Sequence, residues 1–102
     1  MTNVTVRRGR NKYAITARGH ATGSVGGCGY ISGILYSLAG YLVNEGEIRV
    51  ERRRMEPGDV ELWFRGGEKA EVACGMAVIG LKQLERSHPE LIRVTEEELT
   101  YG

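Results

Sequence analysis

Apolar and polar positions alternate from Asn3 to Arg8, with Val4 and Val6 on one side and Thr5 and Arg7 on the other. That period of two predicts a strand. Arg8-Gly9-Arg10-Asn11 is a turn signal, and the alternation resumes from Lys12 to Ala17 with Tyr13, Ile15 and Ala17, so the two segments form an N-terminal hairpin. A glycine-rich stretch follows, and then the period changes. Ile31, Ile34, Leu35, Leu38, Ala39 and Leu42 recur at helical spacing, predicting a helix from about Cys28 to Asn44 with Gly46 as its C-terminal cap. Glu47 to Met55 and Val60 to Arg65 alternate again around the turn Glu56-Pro57-Gly58-Asp59, giving a second hairpin that ends at Gly66-Gly67.

A second helix is expected from Glu68 to Ser87, with Glu68 and Glu71 in its first turn and Lys82 and Arg86 in its last, as the helix dipole favours. Its apolar side is assigned to Val72, Ala73, Met76, Ala77, Gly80, Leu81 and Leu84, and Pro89 ends it. Leu91 to Thr95 is a candidate terminal strand, and Glu96 onward reads as a polar tail. The order ββαββα, with that added strand, implies a two-layer α+β fold: an antiparallel sheet built from two hairpins, with two helices on one face.

Composition narrows the picture only a little. A chain of 102 residues with 41% hydrophobic and 26% charged positions is expected to be a single globular domain and not a disordered tail. Fourteen Lys and Arg against thirteen Asp and Glu leave a net charge of +1, so overall charge gives no argument for nucleic acid. No apolar run is long enough for a membrane span, and MTNVTVRRGR does not resemble a secretory signal, so a cytoplasmic protein with free thiols is expected.

The chemistry concentrates between Gly19 and Leu42. Cys28 falls at the start of the first helix, where backbone N–H groups lack intrahelical partners and the dipole stabilises a thiolate. His20 lies upstream across a loop containing Gly23, Gly26 and Gly27, flexible enough to bring the imidazole back to the sulfur. The pair fits a cysteine nucleophile and a histidine base. The loop from Thr22 to Gly27 is expected to be mobile without substrate and to close over a bound peptide. Cys74, inside the second helix, is expected to be a buried inert thiol, and His88 a surface residue. Two cysteines and two histidines at these spacings fit no zinc finger or ribbon, and the glycine-rich loop lacks the Lys-Ser/Thr ending of a phosphate loop. No metal or cofactor is expected.

Gly19-His20-Ala21 followed by Cys28-Gly29-Tyr30-Ile31-Ser32 resembles the motif of the ribosomal-processing cysteine proteases, the Prp family. Those proteins carry Gly-His-Ala after the second strand and Asp-Ile-Val-Cys-Ala-Ala-Val-Ser at the start of a helix. The resemblance extends over nearly the whole chain. It implies a single protease domain over residues 1–102, a homodimer, and removal of a short N-terminal extension from a ribosomal protein. Phage and prophage relatives trim phage structural proteins instead, and the shorter His-to-Cys loop here resembles that branch, so a capsid or scaffold substrate is equally implied.

By position, His20 is then the general base and Cys28 the nucleophile. Gly26, Gly27, Gly29 and Ser32 are the oxyanion- and substrate-binding residues. The family's aspartate three residues before the cysteine is Val25 here. An ungapped register would instead place the family cysteine on Ser32. The gapped register is preferred because it matches the cysteine, the serine and the apolar residue before that serine together. The alternative function is a non-catalytic ribosome- or RNA-associated module using Arg7-Arg8-Gly9-Arg10 and Arg52-Arg53-Arg54.

Overall fold

The computed structural model describes residues 1–19 and 27–99; for Gly27 and Cys28 it describes the backbone alone. Seven elements follow one another: β1 (Thr2–Arg8), β2 (Lys12–Arg18), α1 (Gly27–Asn44), β3 (Arg49–Glu56), β4 (Asp59–Arg65), α2 (Glu68–Ser87) and β5 (Ile92–Glu98). The strands form one sheet in the order β3-β4-β2-β1-β5. The two hairpins are antiparallel and are joined by an antiparallel β2–β4 pairing in which Arg18 faces Asp59 and Tyr13 faces Phe64. The expected α+β fold is therefore borne out. The candidate terminal strand exists, and because it runs parallel to β1 the sheet is mixed.

Alternation sorts the strands into two faces. Val4, Val6, Tyr13, Ile15, Ala17, Leu62 and Phe64 point to the helical layer and are buried. Tyr13 and Phe64 stack with ring centroids 5.5 Å apart, a cross-strand aromatic pair of the kind that stabilises antiparallel strands. Against this face α1 buries Ile31, Leu35, Leu38, Ala39 and Leu42, the stripe its periodicity predicts; Ile34 is half-buried and packs toward α2. A Cβ on Gly80 would stand 3.3 Å from Ile34 Cδ1, so the missing side chain sets how closely the helices approach.

The opposite sheet face carries charge. Glu61, only 11% exposed, accepts from Arg52 at 3.0 Å and Arg54 at 3.4 Å, with Arg18 at 3.6 Å. Arg65 and Lys12 share Glu51. Two of the three arginines in the run Arg52-Arg53-Arg54 are thus engaged within the chain, as a solvated and internally balanced face requires.

Three expectations are corrected. The segment after Thr95 is not a polar tail, because Glu96, Glu97 and Glu98 continue β5 opposite Val6, Arg7 and Arg8. Backbone pairing carries this extension, helped by ion pairs of Glu97 with Arg7 and of Glu96 with Arg8 and Lys82. Gly46 is not a left-handed cap, since Gly19 and Gly58 are the glycines with positive φ among the described residues. Asn44 Nδ2 instead donates to the Gly40 carbonyl at 2.8 Å at the end of α1. The α2 stripe is also rotated from its assignment: Ala70, Cys74, Ala77, Val78 and Leu81 are buried, whereas Val72 and Met76 are exposed. Small residues let α2 lie close to the sheet beside the buried Val78 and Leu81, while Val72, Met76 and Ile79 point away.

Candidate active site

β2 hands the chain to Gly19, which is held from two directions. Its N–H donates to the Gly58 carbonyl at 3.0 Å, and its own carbonyl accepts from Thr2 Oγ1 at 3.4 Å. Its φ is +102°, and a Cβ there would lie 2.5 Å from the Met1 carbonyl oxygen. No residue other than glycine fits this position without displacing backbone. The residue preceding His20 is therefore fixed by β1 and by the β3–β4 turn together.

On the other side α1 begins at Gly27, placing the Cys28 backbone in its first turn. That turn contains no acidic residue, so nothing on the helix itself neutralises its free N–H groups. Gly29 is exposed, and a Cβ on it would meet nothing within 4 Å. Ser32 is half-buried one turn beyond Cys28. Ser32 and Gly19 border the same cleft, of about 170 Å³, whose floor is made by Ala17, Ile31, Leu35, Met55 and Val60. Thr2, Tyr36 and the β3–β4 turn residues Glu56, Pro57, Gly58 and Asp59 complete its lining.

The structure thus brings Gly19, the residue before His20, and Ser32, one turn along α1 from Cys28, to the same cleft. His20, Gly26 and Val25 lie outside the described residues, as do the Cys28 side chain and the loop expected to close over substrate. Gly27 opens α1 and does not belong to a loop. Cys74 is fully buried, and burial pushes its thiol above the ordinary range. His88 is half-buried at the end of α2, with Nδ1 3.5 Å from Glu90. Among the described residues, no cluster of three or more histidine, cysteine or carboxylate groups is placed to hold a metal, and no helix is long and apolar enough to cross a membrane.

Sequence reasoning missed the contribution of the β3–β4 turn. Glu56-Pro57-Gly58-Asp59 is legible as a turn, but its position over the end of β2 follows from β4 pairing with β2, which no local pattern encodes. Also missed is a larger groove, of about 840 Å³, between α1 and α2. It starts at Gly29 and Tyr30 and runs past Ile34 and Tyr41 on α1, facing Val72 and Met76 on α2.

Solved structures share this fold. An essential ribosomal processing protease, Prp, from S. aureus, in complex with a covalently linked product peptide, is 17% identical over 95% of this chain and 100% of that chain, with a TM-score of 0.78. The same S. aureus protease in complex with a substrate peptide is 18% identical at the same coverages, with a TM-score of 0.75. SMU.848 from Streptococcus mutans is 18% identical over 97% of this chain and 99% of that chain, with a TM-score of 0.76. At these identities the likeness establishes a shared fold over almost the full length of each chain. No family model matches the sequence, and no curated protein matches it either.

Proposed function

We propose that the protein is a cysteine endopeptidase of the ribosomal-processing type, built as a single protease domain that acts in the cytoplasm on a short N-terminal extension of a ribosomal or phage structural protein. The observation that carries this reading is the cleft shared by Gly19 and Ser32. Those positions flank His20 and Cys28 in the motif, and they come together in a fold shared with a protease that holds a covalently linked product peptide.

In this reading His20 takes the Cys28 thiol proton, and the thiolate attacks the scissile carbonyl. The Cys28 and Gly29 N–H groups at the open start of α1 receive the oxyanion, where loss of one donor costs about 3–4 kcal/mol of barrier. The tetrahedral intermediate collapses as His20 returns the proton to the leaving amine. Water, deprotonated by His20, then hydrolyses the thioester. Gly26, Gly27 and Gly29 let the substrate backbone approach closely, and Ser32 supplies a hydrogen bond beside the sulfur. Val25 offers no carboxylate, so His20 must be oriented by other groups. The homodimer belongs to the same reading and is supported by the uncovered apolar surface along both helices.

The test combines thiol mapping with cleavage. Brief iodoacetamide treatment near neutral pH should label Cys28 at least about tenfold faster than the buried Cys74, because only the thiolate reacts. Candidate precursor proteins from the same genome should lose their extension by intact mass, and Cys28→Ala should abolish this. Ser32→Ala should slow cleavage only as far as one hydrogen bond allows, about 0.5–1.5 kcal/mol. Equal labelling of both thiols would falsify the nucleophile assignment. An inactive Ser32→Ala beside an active Cys28→Ala would establish the ungapped register.

A further inference from the structure

The charge balance around Glu61 does not extend to the far end of the outer sheet face. There the pairing of β2, β4 and β3 sets Lys12, Arg65 and Arg49 abreast. Neighbouring strands lie about 4.8 Å apart, so the three cations span only about 10 Å. Like charges directly opposite one another destabilise a sheet, and here two such pairs follow in succession. Glu51 answers two of the three, reaching Arg65 at 2.9 Å and Lys12 at 3.5 Å. Arg49 is exposed and has no partner among the described residues.

Further cations border this row. Arg52 stands opposite Trp63 in the next row of the hairpin, and its side chain remains 66% exposed although it pairs with Glu61. The Asn11 carbonyl accepts from Gly66 N–H at 3.1 Å, which holds the β1–β2 turn, with its exposed Arg10, beside the end of β4. Cations are therefore in surplus at this end of the sheet. Apart from Met1, the exposed large hydrophobics belong to the two helices, so the patch lacks the apolar side with which a protein lies in a membrane interface.

We propose that this row binds the phosphate backbone of a single-stranded nucleic acid, with Arg49, Arg52 and Arg65 as its contacts and Trp63 beside them. Guanidinium groups match phosphate oxygens in charge and geometry, and sites for single strands combine such a basic track with an aromatic side chain. An arriving phosphate also relieves the repulsion between Arg49 and Arg65. Contacts to phosphate carry no sequence information, so strands of any sequence, RNA and DNA alike, bind in the same way. Lys12 and Arg18 mark opposite ends of β2, about 20 Å apart by strand rise, and the cleft lies on the helical side of the sheet. The site is thus separate from the cleft, and the inference stands apart from the peptidase reading. No basic run in the sequence marks it, because Arg49 and Arg65 come from different strands.

Binding at graded salt tests it. The full chain is titrated with fluorescein-labelled oligouridylate and oligothymidylate of about twelve nucleotides, within the range of single-strand sites. Anisotropy reads binding, and the emission of Trp63, the chain's single tryptophan, reports whether the strand lies at this face. Three phosphate contacts predict a slope of log affinity against log salt of about −2, falling to about −1.4 in Arg49→Gln. Arg49→Glu should lose binding even at the lowest salt. Arg86→Gln removes an equal charge from the exposed last turn of α2 and should bind as the parent does. Circular dichroism of each variant should match the parent, since both arginines are exposed. Oligoglutamate of matched charge and phosphatidylserine vesicles should bind more weakly than either oligonucleotide. The proposal is overturned by a parent chain that binds neither oligonucleotide, or by Arg86→Gln and Arg49→Gln losing affinity equally, which would make net charge the cause. Tighter binding of oligoglutamate or of vesicles overturns it as well, by assigning the row to an acidic protein or a membrane surface.

Discussion

A methyl group on Gly19 would stand 2.5 Å from the Met1 carbonyl oxygen, at a backbone φ of +102° that side chains rarely adopt. Both penalties fall on the residue that precedes His20, so they act on the site as well as on the fold. Gly19→Ala should destabilise the protein by about 1–3 kcal/mol, equivalent to roughly 4–8 °C of melting temperature per kcal/mol in a domain this size. Peptide cleavage should fall further than the folded fraction does, because relief of the clash must shift the start of the segment that carries His20, the proposed base. Thermal melts, with cleavage measured at a temperature where the variant is fully folded, check both parts. Gly29→Ala is the control: open space surrounds that position, so its melting temperature should stay near the parent value. Normal activity in a folded Gly19→Ala protein would remove Gly19 from the argument about the site.

The β3–β4 hairpin makes a pH-dependent claim at the scale of an element. Glu61 is held below the usual carboxylate range, first by the hydrogen bond from Arg52 and then by the charges of Arg52 and Arg54, which outweigh burial. A carboxylate depressed in the folded state stabilises the fold above its unfolded pKa, about 4.3, and that contribution disappears as pH falls through the lower folded value. Glu61→Gln should therefore be less stable than the parent at pH 7 by about 1 kcal/mol, the upper end for pairs whose arginines reach solvent. The gap should shrink on acidification from pH 7 to about pH 3, as the pH falls below the unfolded value and toward the lower folded one. A gap of constant size across melts at both pH values would show that Glu61 acts through shape alone. The hairpin also shows how much of each element was legible. Its strands and turn follow from alternation and from Pro57-Gly58, and α2 ends where the dipole pattern and Pro89 place it. The continuation of β5 through Glu96–Glu98 was not legible, because a ladder of backbone hydrogen bonds to β1 asks nothing of side-chain hydropathy. Nor was the contact between the hairpin turn and Gly19, which depends on β2 and β4 lying side by side, a pairing between residues 41 or more positions apart.

At the scale of the whole molecule, the sheet and helices bury one continuous core, yet the helical layer has a second apolar side. Met76 is 75% exposed, Val72 62% and Ile79 60%, and Tyr30 and Tyr41 extend the same surface from α1. Hydropathy could not tell which stripe of α2 meets the sheet, because both are apolar; the choice falls to the small residues Ala70, Cys74 and Ala77, which allow the closer approach. Val72, Met76 and Ile79 are left uncovered along a groove of about 840 Å³, an arrangement that in monomeric proteins marks an interaction surface. In the proposed homodimer this surface meets its counterpart across a two-fold axis, so one substitution acts twice per dimer. Met76→Lys should then cost about 2 kcal/mol per subunit, the threshold of an interface hot spot, and weaken dimerisation by roughly a thousandfold. Sedimentation velocity over a range of concentrations should show a dimer for the parent and a monomer for the variant. Circular dichroism should be unchanged, since a residue this exposed contributes little to the core. A parent chain that sediments as a monomer at every concentration, or a variant that remains a dimer, would exclude this face as the interface between copies.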